Sequence, residues 1–193
     1  MATELYLVRH GGTAWALTGQ HTGRTDLPLL PEGEEEARQL GQMLRDVEFA
    51  VVWSSDLQRA LRTARLAGFE RPRVTPLLRE FDYGDYEGLT TDQIRRQRPG
   101  WEIFRDGCPG GESPAQVAAR GRAFLAELAD VEGRVAVFSH GHFLRALATA
   151  WVEYDITAAT SLALDTAAVS VMRESSRGRM IQRWNWTPGV AAP

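Results

Sequence analysis

The sequence contains no lysine, and all 22 of its basic residues are arginines. That absence excludes the phosphate-gripping lysine of P-loop enzymes, the protein-kinase lysine, pyridoxal Schiff bases and Ser-Lys hydrolases. Any anion held by side chains is therefore held by arginine or histidine. Cysteine is nearly as scarce. Cys108 stands alone and cannot form an internal disulfide, which fits a reducing cytoplasm or a fold that needs no staple. Long apolar runs are missing as well. The longest stretch free of Asp, Glu, Lys and Arg runs only from His10 to Gly23, and it is rich in Gly, Thr and His. Nothing is long and apolar enough to span a bilayer, and the first residues read as a strand rather than a signal peptide. The net charge of -3 supplies no electrostatic reason to bind nucleic acid or an anionic membrane. A cytoplasmic protein without nucleic-acid or membrane partners is expected.

What is present is a globular composition, 44% hydrophobic and 24% charged over 193 residues. That is enough for one well-filled core and too little for two ordinary domains. One domain is expected over residues 1–186, followed by a frayed tail at 187–193. Leu5–Val8, Ala50–Trp53 and Val135–Phe138 read as buried strands, while Val169–Met172 and Met180–Trp184 alternate like strands near a sheet edge. Helical patterns lie between them. Pro31 occupies a first helical position and is followed by Glu32, Glu34, Glu35 and Glu36, which suit the positive end of a helix dipole. Ser55 with Gln58 and Ser113 with Gln116 have capping-box spacing, predicting helices to about Ala67 and Ala129. A further helix is predicted from near His142 to about Tyr154. Strands alternating with such helices mean an α/β fold of three layers, αβα, around a largely parallel sheet.

Two of the four histidines share a setting. Leu5–Val8 leads into Arg9-His10-Gly11-Gly12-Thr13, and Val135–Phe138 leads into Ser139-His140-Gly141-His142. In a parallel sheet both histidines emerge at the carboxyl edge, where open α/β folds bind ligands. Gly11 and Gly141 let the backbone turn and let a ligand approach exposed amides. A lone strand-His-Gly caps a loop more often than it binds anything. Two of them, one beside Arg9, favour a site. Arg59 falls in the first turn of the helix after Ser55 and is placed to grip an oxyanion. Arg62, Arg65, Arg95, Arg96 and Arg98 read as solvated. Between Glu80 and Glu87, four carboxylates lie among glycines and aromatics, which suggests a loop with at least one partly buried acid. Metal-ligand spacing is missing from the histidines and from this loop, so neither metal nor cofactor is expected.

These segments, together with Gly23-Arg-Thr-Asp-Leu-Pro28 and Gly110-Gly-Glu-Ser113, occur in the order seen in the histidine phosphatase superfamily. The chain resembles that superfamily over roughly residues 4–151, most of all its short broad-specificity phosphatases and sugar-bisphosphatases. The resemblance implies a phosphoglycerate mutase-like fold and hydrolysis of small phosphomonoesters without a metal. It makes His10 the nucleophile that forms a phosphohistidine, and Arg9 and Arg59 the clamp on the phosphoryl oxygens. His140 becomes a second histidine of that pocket, and Glu80 the proton donor to the leaving group, a role that partial burial beside Phe81 and Tyr83 would help. Thr22, Gly23 and Tyr83 match positions lining the substrate pocket, and Arg24 is placed to meet a second anionic group. The expected partner is a small phosphorylated metabolite.

The chain also departs from the family pattern. Gly12 stands where Glu or Gln is common, and Ala16 where many members have a phosphate-contacting Asn. Phe81 replaces the Arg that mutases place after the acid, and the missing lysine and short spacing from Glu80 to His140 further weaken a mutase reading. A degenerate member that binds phosphorylated ligands without turnover is the other alternative, motivated by Gly12 and Ala16. His142 reads as structural, with an amide facing the phosphate. His21 is divided between pocket and exposed surface. Glu112 approaches the site, and Ser113 explains itself as a cap. Trp15 lies nearest the pocket loop, and Trp53 and Trp151 read as core. Trp184 and Trp186 leave core cover and a subunit contact, such as a homodimer, both open.

Overall fold

Alternation along the first strand dictates cover on both faces of the sheet. Leu5 and Leu7 are fully buried on one face, and Val8 is fully buried on the other, where Tyr6 also packs. Each such side chain contributes about 1.5–3 kcal/mol when removed from water, so neither face can be left bare. The computed structural model describes residues 2–188, and residues 189–193 of the expected tail lie outside the described residues. Along the chain run β1 (Ala2–Arg9), α1 (Ala14–Thr18), α2 (Pro31–Leu44), β2 (Val51–Ser55), α3 (Gln58–Leu66) and β3 (Arg73–Thr75). They are followed by α4 (Thr91–Gln97), α5 (Ile103–Asp106), α6 (Pro114–Ala126), β4 (Gly133–Ser139), α7 (Gly141–Trp151), β5 (Val169–Ser175) and β6 (Gly178–Trp186).

The six strands form one sheet in the order β3-β2-β4-β1-β5-β6. The pairs β2–β3, β2–β4 and β1–β4 are parallel, whereas β1–β5 and β5–β6 are antiparallel. Leu40 and Leu44 of α2 and Ala64 of α3 pack on one face with Phe138 and Val169. Phe124 of α6 and Phe143, Leu144 and Leu147 of α7 pack on the other with Leu5, Leu7 and Val137. That is the expected three-layer, largely parallel architecture. Among the described residues no helix is long and apolar enough to cross a membrane.

Most differences from expectation lie at element ends. Ser55 is the last residue of β2, and its hydroxyl accepts the amide of Leu57 rather than that of Gln58, so the expected capping box does not form. The amide of Gln58 donates instead to the Asp26 carboxylate at 2.8 Å, a partner supplied from a distant loop. Ser113 with Gln116 does form its capping box, but α6 ends at Ala126 because the following residues tighten into turns. Thr90 with Gln93 forms a second capping box, which starts the unanticipated α4. The edge strand β3 has only three residues, and Val74 at its centre is exposed. Trp151 is buried as expected, whereas Trp53 is half-buried, with the Arg73 guanidinium over its ring.

Candidate active site

The register of the two central parallel strands brings the histidines together. Arg9 of β1 stands beside Ser139 of β4, so the residues that follow leave the same edge as neighbours. The rings of His10 and His140 pack edge to face with centroids 5.2 Å apart. Ser55 ends the adjacent strand β2 and reaches the same place.

The loop after β1 is held from several directions. The His10 amide donates to Ser139, Gly11 N–H to the Thr63 hydroxyl, and Gly12 N–H to the Glu36 carboxylate at 2.8 Å. Gly11 is needed for close approach rather than for an unusual turn, since a Cβ there would lie 2.2 Å from the carbonyl oxygen of Gly33 in α2. Glu36 also answers the departure at Gly12. Its carboxylate oxygens lie 3.6 and 3.9 Å from where a Cβ at Gly12 would sit, so a neighbouring helix fills the space of the missing side chain.

His10 is 5% exposed and lies on the wall of a cavity of about 230 Å³. Its Nδ1 is 2.7 Å from the Gly11 carbonyl oxygen. A carbonyl only accepts, so Nδ1 carries the hydrogen and the neutral ring keeps its lone pair on Nε2. Burial, then the charges of Arg59 and Arg9, hold the His10 pKa well below its ordinary value. The imidazole is therefore unprotonated near neutral pH. Arg9 lines the same cavity. One Nη donates to the Leu164 carbonyl, while its buried Nε has no partner among the described residues. A buried unpaired guanidinium N–H at a cavity wall calls for an oxygen-bearing ligand.

Arg59 and His140 are brought close, but they stand behind His10, and both are fully buried. Arg59 donates to the carbonyls of Thr22, Gly23 and Thr25 and, through Nε, to His140 Nδ1 at 3.1 Å. Its first-turn position on α3 thus anchors the segment of residues 22–25. His140 Nε2 lies 2.9 Å from the Ser55 hydroxyl.

Glu80 is 8% exposed and lines the same cavity. Its Oε1 accepts from the amides of Phe81 and Phe143, both at 2.8 Å, and Oε2 accepts from the His142 amide at 3.0 Å. The carboxylate thereby satisfies orphan N–H groups at the start of α7, a favourable place for negative charge. The amide of His142 therefore serves Glu80, where the sequence suggested the phosphate. Behind Glu80, Arg120 binds Glu112 with two N–H groups and donates to the Glu80 carbonyl, while Glu112 accepts from the Asp82 amide. Glu112 thus supports the acid-bearing loop.

The remaining candidates divide. Thr22, Tyr83 and Gly141 line the cavity with His10. Gly23 and Arg24 line a neighbouring cavity, where Arg24 is largely exposed and paired with Asp82 at 2.5 Å. The amide of Gly23 is bound by Glu87 at 2.9 Å. His21 is buried, stacks on Tyr83 at 4.7 Å and lines the His10 cavity, while the Tyr83 hydroxyl is 2.7 Å from His142 Nδ1. Burial lowers the His21 pKa to about 4 and pushes Tyr83 well above its ordinary value, so this wall is neutral. Sequence reading missed Arg145, also on the cavity wall; its signal was a position one helical turn beyond Gly141.

A mostly parallel sheet, covered by helices and carrying paired histidines at its carboxyl edge beside a cavity also lined by a buried glutamate, defines a phosphoglycerate mutase-like phosphatase fold. The family profile described as histidine phosphatase superfamily (branch 1) matches residues 5–187, and the chain belongs to that superfamily. It is 44% identical over 172 residues to an acid phosphatase of Mycobacterium tuberculosis, covering 87% of this chain and 85% of the relative. The solved structure of the open reading frame Rv3214 from the same organism superposes with a TM-score of 0.93 at 39% identity, covering 96% of this chain and 98% of that one. A mycobacterial glucosyl-3-phosphoglycerate phosphatase, solved as a complex with VO3, gives a TM-score of 0.86 at 30% identity and covers 96% and 100%.

Proposed function

We propose that this chain is a metal-independent phosphatase that hydrolyses small phosphomonoesters through a phosphohistidine at His10. The observation that carries the reading is the Nδ1–H to Gly11 bond, which leaves Nε2 of an unprotonated ring as the free nitrogen at the cavity wall. In the first step the Nε2 lone pair attacks phosphorus and the ester P–O bond breaks. Glu80 gives its proton to the departing oxygen, releasing the alcohol. In the second step the Glu80 carboxylate takes a proton from water, the resulting hydroxide attacks phosphorus, and the P–N bond breaks to free phosphate and Nε2.

Arg9 offers its unpaired Nε to the phosphoryl oxygens. The charge of Arg59, held in place by the acceptor Nδ1 of His140, acts from behind the nucleophile and favours the equatorial charge of the transition state, work that a metal performs in other phosphoryl-transfer enzymes. A cavity of about 230 Å³ suits a small leaving group. The Glu36 carboxylate beside Gly12 supports an intact loop and so speaks against a member that only binds.

Phosphate release from p-nitrophenyl phosphate and a panel of sugar phosphates, measured with EDTA present, tests the reading. Release is expected to survive the chelator and to fall on the order of a thousandfold or more in His10→Ala, as the loss of a nucleophile does elsewhere. Activity that vanishes with EDTA and returns with a divalent cation would overturn the metal-free mechanism. Isomerisation of a phosphoglycerate without phosphate release would mean a mutase.

A further inference from the structure

The segment of residues 162–168 meets both of the first residues of the nucleophile loop. The Leu164 carbonyl accepts from an Nη of Arg9, and the Ala168 carbonyl accepts the Arg9 amide at 3.0 Å. The Ala167 amide donates to the His10 carbonyl at 3.1 Å, and Ala167 is held there, 1% exposed, at a left-handed φ of 54°. No helix or strand of its own stiffens this segment, which joins the 3-10 turn Ile156–Ser161 to β5. Yet Leu164 fixes one end of the Arg9 guanidinium, so its position decides where the unpaired Nε points.

The segment is held from β6, the edge strand two places from β1 in the sheet. Trp184 Nε1 donates to the Ala163 carbonyl, and the Asp165 amide donates to Asn185 Oδ1 at 2.7 Å. Asn185 Nδ2 donates in return to the Asp165 carboxylate at 2.8 Å. Neighbouring residues of one strand thus tie down Ala163 and Asp165, and the carbonyl between them is the one that meets Arg9. The strand is shaped for this task. Val169 faces Trp186 and Val171 faces Arg183, so β6 carries an extra residue in a bulge at Trp184 and Asn185. Inside the bulge Asn185 has a φ of 57°, and its amide leaves the ladder for the hydroxyl of the buried Ser170 at 3.0 Å. A bulge re-aims a side chain, and asparagine tolerates the left-handed region where most residues do not. Resting on the phosphatase reading, we propose that Asn185 is a positioning residue. Its paired bonds to Asp165 hold the Leu164 carbonyl where it orients the Arg9 guanidinium toward the phosphoryl group.

Exchanging the two side chains tests this. Asn185→Asp keeps the shape and tolerates the same backbone, but it sets two carboxylates face to face and opens the clamp. Its kcat for p-nitrophenyl phosphate is expected to fall roughly ten- to a hundredfold, the cost of displacing a binding group by about an ångström. The inhibition constant of orthovanadate, which mimics the five-coordinate phosphoryl group, is expected to rise by a similar factor. Combining Asn185→Asp with Asp165→Asn restores both hydrogen bonds with the roles exchanged, and is expected to return both values to within about threefold of wild type. An Asn185→Asp protein with wild-type kcat and wild-type vanadate inhibition would overturn the proposal. So would a double variant that regains thermal stability without regaining kcat, since the pair would then serve only the fold. Should Asn185→Asp fail to fold, Asn185→Gly suits the left-handed backbone and lacks the amide. The same losses are expected of it, and wild-type kcat and vanadate inhibition in that variant would reject the clamp. Wild-type turnover with unmoved variants sinks this inference alone, whereas no turnover of any substrate by the wild type sinks the phosphatase reading and this inference with it.

Discussion

The two strand-His-Gly units differ in one neighbour, and that neighbour reverses the chemistry of the ring. At the end of β1, His10 Nδ1 meets the carbonyl of Gly11, so Nδ1 holds the hydrogen and Nε2 the lone pair. At the end of β4, His140 Nδ1 meets Arg59 Nε, which can only donate. The neutral ring of His140 therefore keeps its lone pair on Nδ1 and gives its Nε2–H to Ser55. Arg59 and Arg9 act on both rings in the same direction, and burial keeps both unprotonated. The tautomer separates a ring with its lone pair left free from a ring whose lone pair is taken up by Arg59. The amides that follow diverge as well. Those of Gly11 and Gly12 bind Thr63 and Glu36, which fix the loop of the nucleophile. Those of His142 and Phe143 bind Glu80, so the second unit holds the acid.

This contrast can be broken at either unit. His10→Ala removes the attacking nitrogen and is expected to cost the most, as set out above. Glu80→Gln keeps the size of the side chain but has no acidic proton to give, and its NH2 cannot accept the amide held by one carboxylate oxygen. Alkyl phosphates are expected to lose roughly 10²–10⁴-fold in kcat, the range of a general acid, and p-nitrophenyl phosphate much less, because its leaving group needs little protonation. Equal losses on both substrates would remove Glu80 as the acid. His140→Ala is expected to cost about a hundredfold in kcat, the scale of a disturbed electrostatic contact to the transition state, because Arg59 loses the ring that holds it. It should also destabilise the fold by about 1–3 kcal/mol in urea titration, since Arg59 Nε is left buried without an acceptor. A His140→Ala protein as inactive as His10→Ala would erase the distinction between the attacking ring and the supporting one.

The legible parts of this molecule were local. His10 and His140 each follow an apolar strand and precede a glycine, and parallel pairing of β1 with β4 was enough to bring them together. Tertiary partners were illegible. Ser55 and Gln58 have capping-box spacing, yet Asp26 caps α3 and the Ser55 hydroxyl goes to His140. Arg59 could be placed near the oxyanion site by its helix, but no spacing reveals that its N–H groups would be consumed by three carbonyls and a histidine. The packing of Gly11 on Gly33 joins residues that carry no mutual sequence signal, and β3 is too short to alternate. Two readable signals went unused. Thr90 with Gln93 marks α4 by the same rule that found Ser113 with Gln116, and Arg145 shares a helix face with Gly141.

A third histidine extends the comparison to proton uptake. His21 stacks on Tyr83 across the cavity, and burial alone lowers its pKa from 6.5 to about 4. In the folded protein it stays neutral down to about pH 4, while in the unfolded chain it takes a proton below pH 6.5. The unfolded state therefore binds more protons throughout that window, so stability is full above pH 6.5 and falls as the pH drops toward 4. His10, His140 and His142 act in the same direction. His21→Phe keeps a flat ring on Tyr83 and removes the titrating group. It is expected to lessen the acid-side slope of unfolding free energy by up to one proton, about 1.4 kcal/mol per pH unit. Urea titrations of wild type and variant across the window measure that slope, and the difference between the proteins cancels the carboxylates they share. An unchanged slope would assign the acid sensitivity to the His10–His140 pair and His142, and would leave His21 protonated in the folded cavity well above pH 4.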